Sequence, residues 1–172
     1  MNFPKGFNLP VTEPFLTTAE IERIFSAEQR VQRMLDFEAA LAVAQCGVGV
    51  VPADARNAIV ACCRAERFDV NALLNASRGA GNAAIPLVEA LTRAVNAENP
   101  AAGSWVHWGA TSQDVLDTAL ILQLREVSDL TIVQLESAES KLAHLARQHL
   151  RTPMVARTLL QQALIQLLPI AQ

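Results

Sequence analysis

The sequence predicts an all-α fold, with an N-terminal helical domain over residues 1–112 and the start of a long-helix bundle domain over residues 113–172. Three observations support this. Apolar residues recur at the three- and four-residue spacing of amphipathic helices, and no segment shows the alternation of a strand. The stretch from Asp114 to Leu150 contains neither proline nor glycine. With 172 residues, 51% of them apolar, the chain can bury a core.

Charge and hydropathy exclude several kinds of partner. The net charge is −3 and the basic residues are scattered, so we expect no nucleic-acid partner. No apolar run reaches the ~18 residues of a membrane span, and residues 1–6 lack the layout of a signal peptide. We therefore expect a cytoplasmic protein with no membrane partner.

Three cysteines, Cys46, Cys62 and Cys63, show neither the spacing of metal ligands nor that of a disulfide framework. Adjacent cysteines on a helix point to different sides. The pattern favours buried, small apolar side chains in a reducing compartment, and it predicts no metal site.

The first helices are predicted from their caps. Residues 1–16, rich in glycine, proline and asparagine, predict an extended arm, and Thr17 with Glu20 has the spacing of a capping box. Ser26 opens a second helix that ends near Gly47. Its inward positions are Val31, Met34, Leu35, Leu41 and Ala42. We expect Glu38, in the same helix, to be solvated or paired locally.

Three further helices precede the long one. Pro52 suits the start of a helix over about 53–64, with Ile59, Val60 and Cys63 facing inward. Asp69 could cap a helix over about 70–76. Residues 77–82 predict a flexible, glycine-bearing loop, and a fifth helix would start near Pro86 and end near position 95.

The longest helix is predicted over residues 114–150, which at 1.5 Å per residue is roughly 55 Å. It carries two apolar faces, more than a chain of 172 residues can cover, and this indicates partner chains. Thr152-Pro153 ends the helix, because the residue before a proline disfavours helical geometry. We expect a connector over 154–158 and another helix over 159–172, broken by Pro169.

Residues 111–114, Thr-Ser-Gln-Asp, stand where a loop meets the start of the longest helix. Such an end exposes unpaired N–H groups and partial positive charge, so hydroxyls and amides there can hold a carboxylate or phosphate. The alternative is purely structural, because Thr111 and Asp114 also fit a helix-opening box. Both interpretations stay open at this point.

Four blocks in this order resemble signature regions of the fumarase/aspartase superfamily. They are Met34-Leu35-Asp36-Phe37-Glu38-Ala39-Ala40-Leu41-Ala42, Ala80-Gly81-Asn82-Ala83-Ala84-Ile85-Pro86-Leu87-Val88, His107-Trp108-Gly109-Ala110-Thr111-Ser112-Gln113-Asp114 and Arg157-Thr158-Leu159-Leu160-Gln161-Gln162. The resemblance covers residues from about 15 to about 163. It implies that the all-α fold comprises the family's N-terminal helical domain and the first long helix of its central bundle.

The resemblance also implies a chemistry. Members add or eliminate across a C–C bond next to a carboxylate, with no metal or organic cofactor, so the problem is proton transfer combined with stabilisation of a developing anion. The substrate would be a small polycarboxylate. The family assembles as a homotetramer in which each active site is built from three subunits.

Carried onto this chain, the resemblance assigns substrate binding to three groups of residues and a catalytic role to His107. A carboxylate of the substrate would be held by Thr111, Ser112 and Gln113. Further substrate contacts would come from Arg157, Thr158, Gln161, Arg78 and Asn82. Flanked by tryptophans, His107 could equally be a packed, hydrogen-bonded core histidine. Asp114 and Asp117 would cap or orient.

Differences between this sequence and the family pattern help to distinguish among the family's activities. Many lyases of the group carry a histidine after the Arg-Thr pair, where this chain has Leu159, and the block over 85–88 lacks the histidine of adenylosuccinate lyase. These absences disfavour adenylosuccinate cleavage and agree with a cycloisomerase, and the resemblance implies that it closes 3-carboxy-cis,cis-muconate to 4-carboxymuconolactone. A C–N lyase acting on adenylosuccinate or argininosuccinate is one alternative, and a non-catalytic helical oligomerisation chain is another.

The family's glycine- and serine-rich loop, which provides its catalytic serine, has no counterpart in these 172 residues. Residues 165–172 do not follow the family's continuation. We therefore expect an N-terminal fragment that lacks the catalytic base when alone.

Overall fold

The structure, a computed structural model, describes residues 17–157, 159 and 162–166. The predicted arm over residues 1–16 and the site residues Thr158 and Gln161 lie outside the described residues. The described part contains α-helices throughout, two 3₁₀ turns and one short hairpin. The helical fold class predicted from the sequence is confirmed.

Six α-helices and two strands follow one another along the described part of the chain. They are α1 (Ala19–Ile24), α2 (Ala27–Gly47), α3 (Ala53–Cys62), α4 (Val70–Ala80), α5 (Ala84–Glu98), α6 (Ser112–Gln148), β1 (Pro153–Arg157) and β2 (Gln162–Gln166).

Side-chain caps begin the helices of the N-terminal part. Ser26 accepts a hydrogen bond from the N–H of Gln29 and Asp69 accepts one from the N–H of Ala72, so both predicted caps are confirmed. The prediction for α1 was wrong by one residue, because Thr18, with extended backbone, caps the helix.

The core of the N-terminal part lies where α2, α3 and α5 pack together, with the start of α6 against them. Its fully buried residues include Leu35, Ile59, Leu87, Leu91 and Val115. Cys62 and Cys63 are buried in the same cluster as free thiols, as the sequence predicted. Burial raises the pKa of the Cys63 thiol to about 12.

Helix α3 is shorter than predicted, and its buried face differs from the predicted one. It ends at Cys62, because Cys63 leaves helical geometry, and a 3₁₀ turn follows at Ala65–Arg67. The prediction that Val60 faces inward was wrong, since its side chain is 39% exposed and Cys62 is inward instead.

Helix α4 is longer than predicted. It continues through residues 77–80, for which the sequence predicted a loop, and it ends where Gly81 adopts a left-handed conformation. That geometry favours glycine, so Gly81, rather than Gly79, marks the end of the helix.

The chain divides into two compact units, residues 1–127 (unit 1) and 128–172 (unit 2). In unit 1, α6 buries Val115, Ala119 and Gln123. In unit 2, every residue of α6 from 131 to 140 is exposed. The division at residues 112 and 113 that the sequence suggested is not tested by this result and stays a prediction.

The prediction of a helix over residues 159–172 was wrong where the structure describes the chain. Strands β1 and β2 pair antiparallel, with Pro153 opposite Gln166 and Arg157 opposite Gln162. Pro153 imposes extended backbone on the residue before it, and pairing with β2 then supplies the backbone hydrogen bonds.

Candidate functional site

The candidate site centres on the turn that leads into α6. A 3₁₀ turn at Gly103–Trp105 precedes it, and the N–H of Ala110 donates to the carbonyl of His107 over 3.3 Å. Gly109 has φ +70° and His107 has φ +57°. Positive φ costs little at glycine but is unfavourable at histidine, so the surroundings must hold His107 in place.

A buried carboxylate holds His107 in this conformation. The Nδ1 atom of His107 lies 2.6 Å from Oε1 of Glu38 on α2, and the two side chains are 16% and 1% exposed. Burial raises the pKa of the Glu38 carboxyl, although the hydrogen bond from His107 partly opposes this. The pair fixes the turn against α2 and places an ionisable ring at the start of α6.

The expectation that Glu38 is solvated or paired locally was wrong. Its partner lies 69 residues away in the sequence. A signal was present, because Glu38 follows Met34 by four residues and Leu35 by three and precedes Ala42 by four, so helical spacing puts it on the buried face of α2. A carboxylate on a core face requires a buried partner.

Two tryptophans flank the histidine. The ring centroids of Trp105 and Trp108 are 5.1 Å apart at an interplanar angle of 54°. Trp108 is half exposed, and its carbonyl accepts a hydrogen bond of 2.7 Å from the side chain of Gln45 on α2. The contact between the two rings and the bond from Gln45 therefore hold the turn that carries His107, whose side chain stays 16% exposed.

The start of α6 forms the box that the sequence suggested. The N–H and the hydroxyl of Thr111 both donate to Oδ2 of Asp114 over 2.8 Å, and the N–H of Asp114 donates back to the hydroxyl over 3.3 Å. These bonds hold the pKa of the Asp114 carboxyl below its usual range, and the nearby His107 adds a smaller effect. The hydroxyl proton of Thr111 is thus engaged within the helix start.

The next two side chains, Ser112 and Gln113, differ in their hydrogen bonds. Gln113 donates its amide to Asp117 one turn further along α6. The hydroxyl of Ser112 is half-buried and has no hydrogen-bond partner among the described residues. Of the three predicted carboxylate ligands, Ser112 is therefore the one whose side chain makes no hydrogen bond among the described residues, and the amide of Gln113 keeps a second N–H.

The second predicted group is placed at the junction of α4 and α5. Arg78 is exposed in the last turn of α4. The side-chain oxygen of Asn82 accepts a hydrogen bond of 2.8 Å from the N–H of Ala84 and so caps the start of α5. Arg78 thus carries an accessible cation, whereas Asn82 already has a structural role.

The third predicted group is only partly described. Arg157 is the last residue of β1, and Thr158 and Gln161 lie outside the described residues. Roles of all three in substrate binding stay predictions.

A groove in unit 2 does not suit a polycarboxylate. It is a groove of about 900 Å³ along α6, and its lining includes Leu135, Leu142, Glu136 and Glu139. Apolar side chains and two carboxylates would disfavour an anion, although Arg147 also lines the groove. We therefore place the candidate site at the turn before α6.

Neither a metal cluster nor a membrane span is found in the described part of the chain. Within residues 17–157, 159 and 162–166, no three histidine, cysteine, aspartate or glutamate side chains cluster closely enough to hold a metal ion. In that same part of the chain, no helix is both long and apolar enough to cross a membrane.

Comparison with known proteins identifies the family. A family described as lyase matches residues 16–166. The chain belongs to this lyase family. The relationship that the four sequence blocks indicated is confirmed, and the match includes α1 through β2 and the turn that carries His107.

Individual relatives within the lyase family are similar over the same region. The chain is 50% identical over 151 residues to a 3-carboxy-cis,cis-muconate cycloisomerase of Pseudomonas putida, covering 88% of this chain and 36% of that protein. It is 48% identical over 155 residues to the Bradyrhizobium diazoefficiens cycloisomerase of the same name, covering 90% and 34%. A nitrosuccinate lyase of Streptomyces davaonensis is 42% identical over 146 residues, covering 85% and 31%.

Solved structures of the family give the same relationship. The crystal structure of a 3-carboxy-cis,cis-muconate lactonizing enzyme from Pseudomonas putida matches with a TM-score of 0.86 and 47% identity, covering 91% of this chain and 36% of that one. The chain thus spans about a third of the length of the relatives it matches.

Proposed function

We propose that this chain supplies the N-terminal part of the active site of a cycloisomerase that closes 3-carboxy-cis,cis-muconate to 4-carboxymuconolactone, in the protocatechuate branch of aromatic catabolism. The observation that carries the proposal is the 50% identity to an enzyme bearing that name, over a region that includes the turn before α6. The complete enzyme would be a cytoplasmic homotetramer without a cofactor, with its domains divided near residue 112.

The reaction places two demands on the protein. A carboxylate oxygen of the substrate forms a C–O bond to the double bond, and negative charge moves onto the conjugated carboxylate until a proton is added to carbon. Donors that face this carboxylate lower the barrier because they stabilise charge that develops during the reaction. Proton addition requires a positioned acid.

Residues at the start of α6 fit the first demand. Ser112 has an unused hydroxyl at the first position of the helix, where unpaired N–H groups and the helix dipole also favour an anion. Thr111 would exchange Asp114 for the substrate, because its hydroxyl has only one proton to donate. Gln113 would support the site through its amide.

Outer carboxylates of the substrate need further donors. Arg78 offers an exposed guanidinium, and Arg157, Thr158 and Gln161 would supply a second binding region. Asn82 would contact the substrate only if its amide group also reached it, since its oxygen caps α5. His107 would act at the reacting carboxylate, and the acid that protonates carbon, which is the base of the reverse reaction, would come from the serine-bearing loop of the complete enzyme.

A chimera tests the proposal. Residues 16–166 would replace the corresponding segment of the Pseudomonas putida cycloisomerase, with the unaltered parent as control. Loss of the diene absorbance of 3-carboxy-cis,cis-muconate should proceed within about tenfold of the parent rate, a difference of about 1.4 kcal/mol. A chimera that has the parent's oligomeric size and no turnover would reject the proposal. Release of fumarate from adenylosuccinate or argininosuccinate would favour a C–N lyase instead.

A further inference from the structure

Glu38 is a buried carboxylate that the proposed reaction does not use directly. Its side chain is 1% exposed, so it cannot contact a substrate, whereas 16% of the His107 side chain is accessible. Oε1 of Glu38 lies 2.6 Å from Nδ1, which leaves Nε2 as the ring nitrogen available to another partner. The pair therefore connects the core to the accessible edge of the turn.

The number of protons on this pair determines what Nε2 can do. With one proton, the ionised carboxylate must face an N–H at Nδ1, because two lone pairs would repel each other at 2.6 Å. Nε2 is then a proton acceptor. With two protons, either the ring is an imidazolium or the carboxyl is neutral, and in both cases Nε2 carries a hydrogen.

Packing alone does not account for the pair. A buried ion-pairing group is often no more stable than an apolar residue of similar volume, and His107 also has unfavourable positive φ. Both costs fall on the same contact. An arrangement that is costly in two ways and lies in the turn before the start of α6 is typical of a functional site.

We propose that Glu38 is a positioning residue that fixes the ring of His107, so that Nε2 is a proton acceptor in the one-proton state of the pair and donates to a substrate carboxylate in the two-proton state. This inference rests on the proposed function for the identity of the ligand. It predicts that binding of a polycarboxylate is accompanied by uptake of a proton.

Other titratable groups sense the charge of the pair. Burial is the main cause that raises the pKa of Cys63, at the end of α3, and the charge of Glu38 raises it further. His107 lowers the pKa of Asp114 at the start of α6. Cys63, with its pKa of about 12, and Asp114, with a pKa below its usual range, do not titrate near neutral pH, so proton uptake there would be assigned to the pair.

The tautomer of His107 gives a direct spectroscopic test. The chain contains three histidines, so His144 on α6 and His149 just after it serve as internal references in the same ¹⁵N spectrum. The His107→Gln variant assigns the signal. We expect the Nδ1–H tautomer in the wild type at neutral pH and a shift toward Nε2–H in Glu38→Leu. Glu136→Leu, at an exposed position of α6, should leave the signal unchanged.

Binding of propane-1,2,3-tricarboxylate, a saturated and unreactive polycarboxylate, tests the proton linkage. In the chimera, the dissociation constant should rise by up to about tenfold per pH unit above the titration of the pair. Glu38→Gln should flatten that dependence. Calorimetry in two buffers of different ionisation enthalpy would count the protons taken up.

The outcomes separate the two proposals. An Nε2–H tautomer in the wild type, or binding with the same pH dependence in wild type and Glu38→Gln, would overturn the role of Glu38 even in an active chimera. An Nδ1–H tautomer that depends on Glu38, in a chimera without turnover, would support the positioning role and reject the proposed function.

Discussion

The two halves of α6 differ in what covers them, although both carry apolar stripes. Residues 112–127 bury Val115 and Ala119 completely and place Gln123 in the same interior. In residues 128–148, the large apolar side chains Ile132, Val133, Leu135, Leu142 and Leu145 are 49–66% exposed. Helical spacing therefore predicts which residues share a face, but whether a face is buried depends on neighbours that local sequence does not specify.

The two halves of α6 also differ in how much they contribute to the free energy of unfolding. Burial of apolar surface contributes about 25 cal/mol per Å², so the first half of α6 stabilises unit 1 and the second half contributes little within this chain. An exposed apolar stripe of this length is typical of a surface that binds a partner.

Truncation of a core leucine should have a much larger effect than truncation of a leucine on the second half of α6. Leu35 is fully buried and Leu142 is 66% exposed. Leu35→Ala should lower the free energy of unfolding by about 2–5 kcal/mol, and Leu142→Ala by less than about 0.5 kcal/mol, measured by denaturant unfolding. An equal loss in both variants would show that the second half is covered.

Two glutamines on α6, one buried and one exposed, allow the two halves to be compared with polar side chains. The buried amide of Gln123 donates a hydrogen bond of 2.6 Å to the carbonyl of Ile24, whereas Gln134 is exposed. Gln123→Ala leaves that carbonyl without its partner and should cost about 1–3 kcal/mol. Gln134→Ala should be nearly neutral. Similar unfolding midpoints for the two variants would contradict the assigned difference in burial.

The buried carboxylate of unit 1 should give stability a pH dependence that an exposed one does not. The pKa of Glu38 is raised in the folded state, so protonated Glu38 stabilises the fold. Its contribution to the free energy of unfolding is fully present below pH about 4.5 and is lost as pH rises through the folded-state pKa. Glu38→Gln should therefore gain stability relative to wild type as pH rises through that range, by up to about 1.4 kcal/mol per pH unit in denaturant unfolding. Glu136→Gln, on the exposed half of α6, is the control and should follow the wild type.

The cap of α6 should give the smallest effect. Thr111→Ala removes the hydroxyl from the helix-opening box and should cost about 1 kcal/mol, whereas Thr111→Ser keeps the hydroxyl. Hydrogen exchange should speed up in the first turn and stay unchanged beyond residue 128. Uniform exchange along α6, or a cost in Thr111→Ser equal to that in Thr111→Ala, would argue against the cap.

Local chemistry explains which parts of the fold the sequence predicted. Ser26 and Asp69 begin helices because their side chains satisfy N–H groups within three residues, and such contacts are visible in sequence. The hairpin was missed because antiparallel pairing of residues 153–157 with residues 162–166 is a contact between segments, and their short apolar runs fit helix or strand equally well.

The candidate site was predicted only where its contacts are local in the sequence. Thr111 and Asp114 were recognised because their box is local. Glu38 was missed as the partner of His107 because the bond joins residues 69 positions apart. Arg78 was predicted to lie in a loop because the adjacent glycine disfavours a helix, yet α4 continues past it. Long-range contacts required the three-dimensional structure.

We propose that the turn before α6 receives a carboxylate of the substrate. Amide chemical shifts of the 172-residue chain, followed during addition of 3-carboxy-cis,cis-muconate, test it most directly. We expect saturable shifts centred on residues 107–114, with a dissociation constant on the order of 1 mM, because a few donors contribute about 4 kcal/mol. Shifts that are absent from residues 107–114, or that are centred on residues of unit 2, would contradict the account.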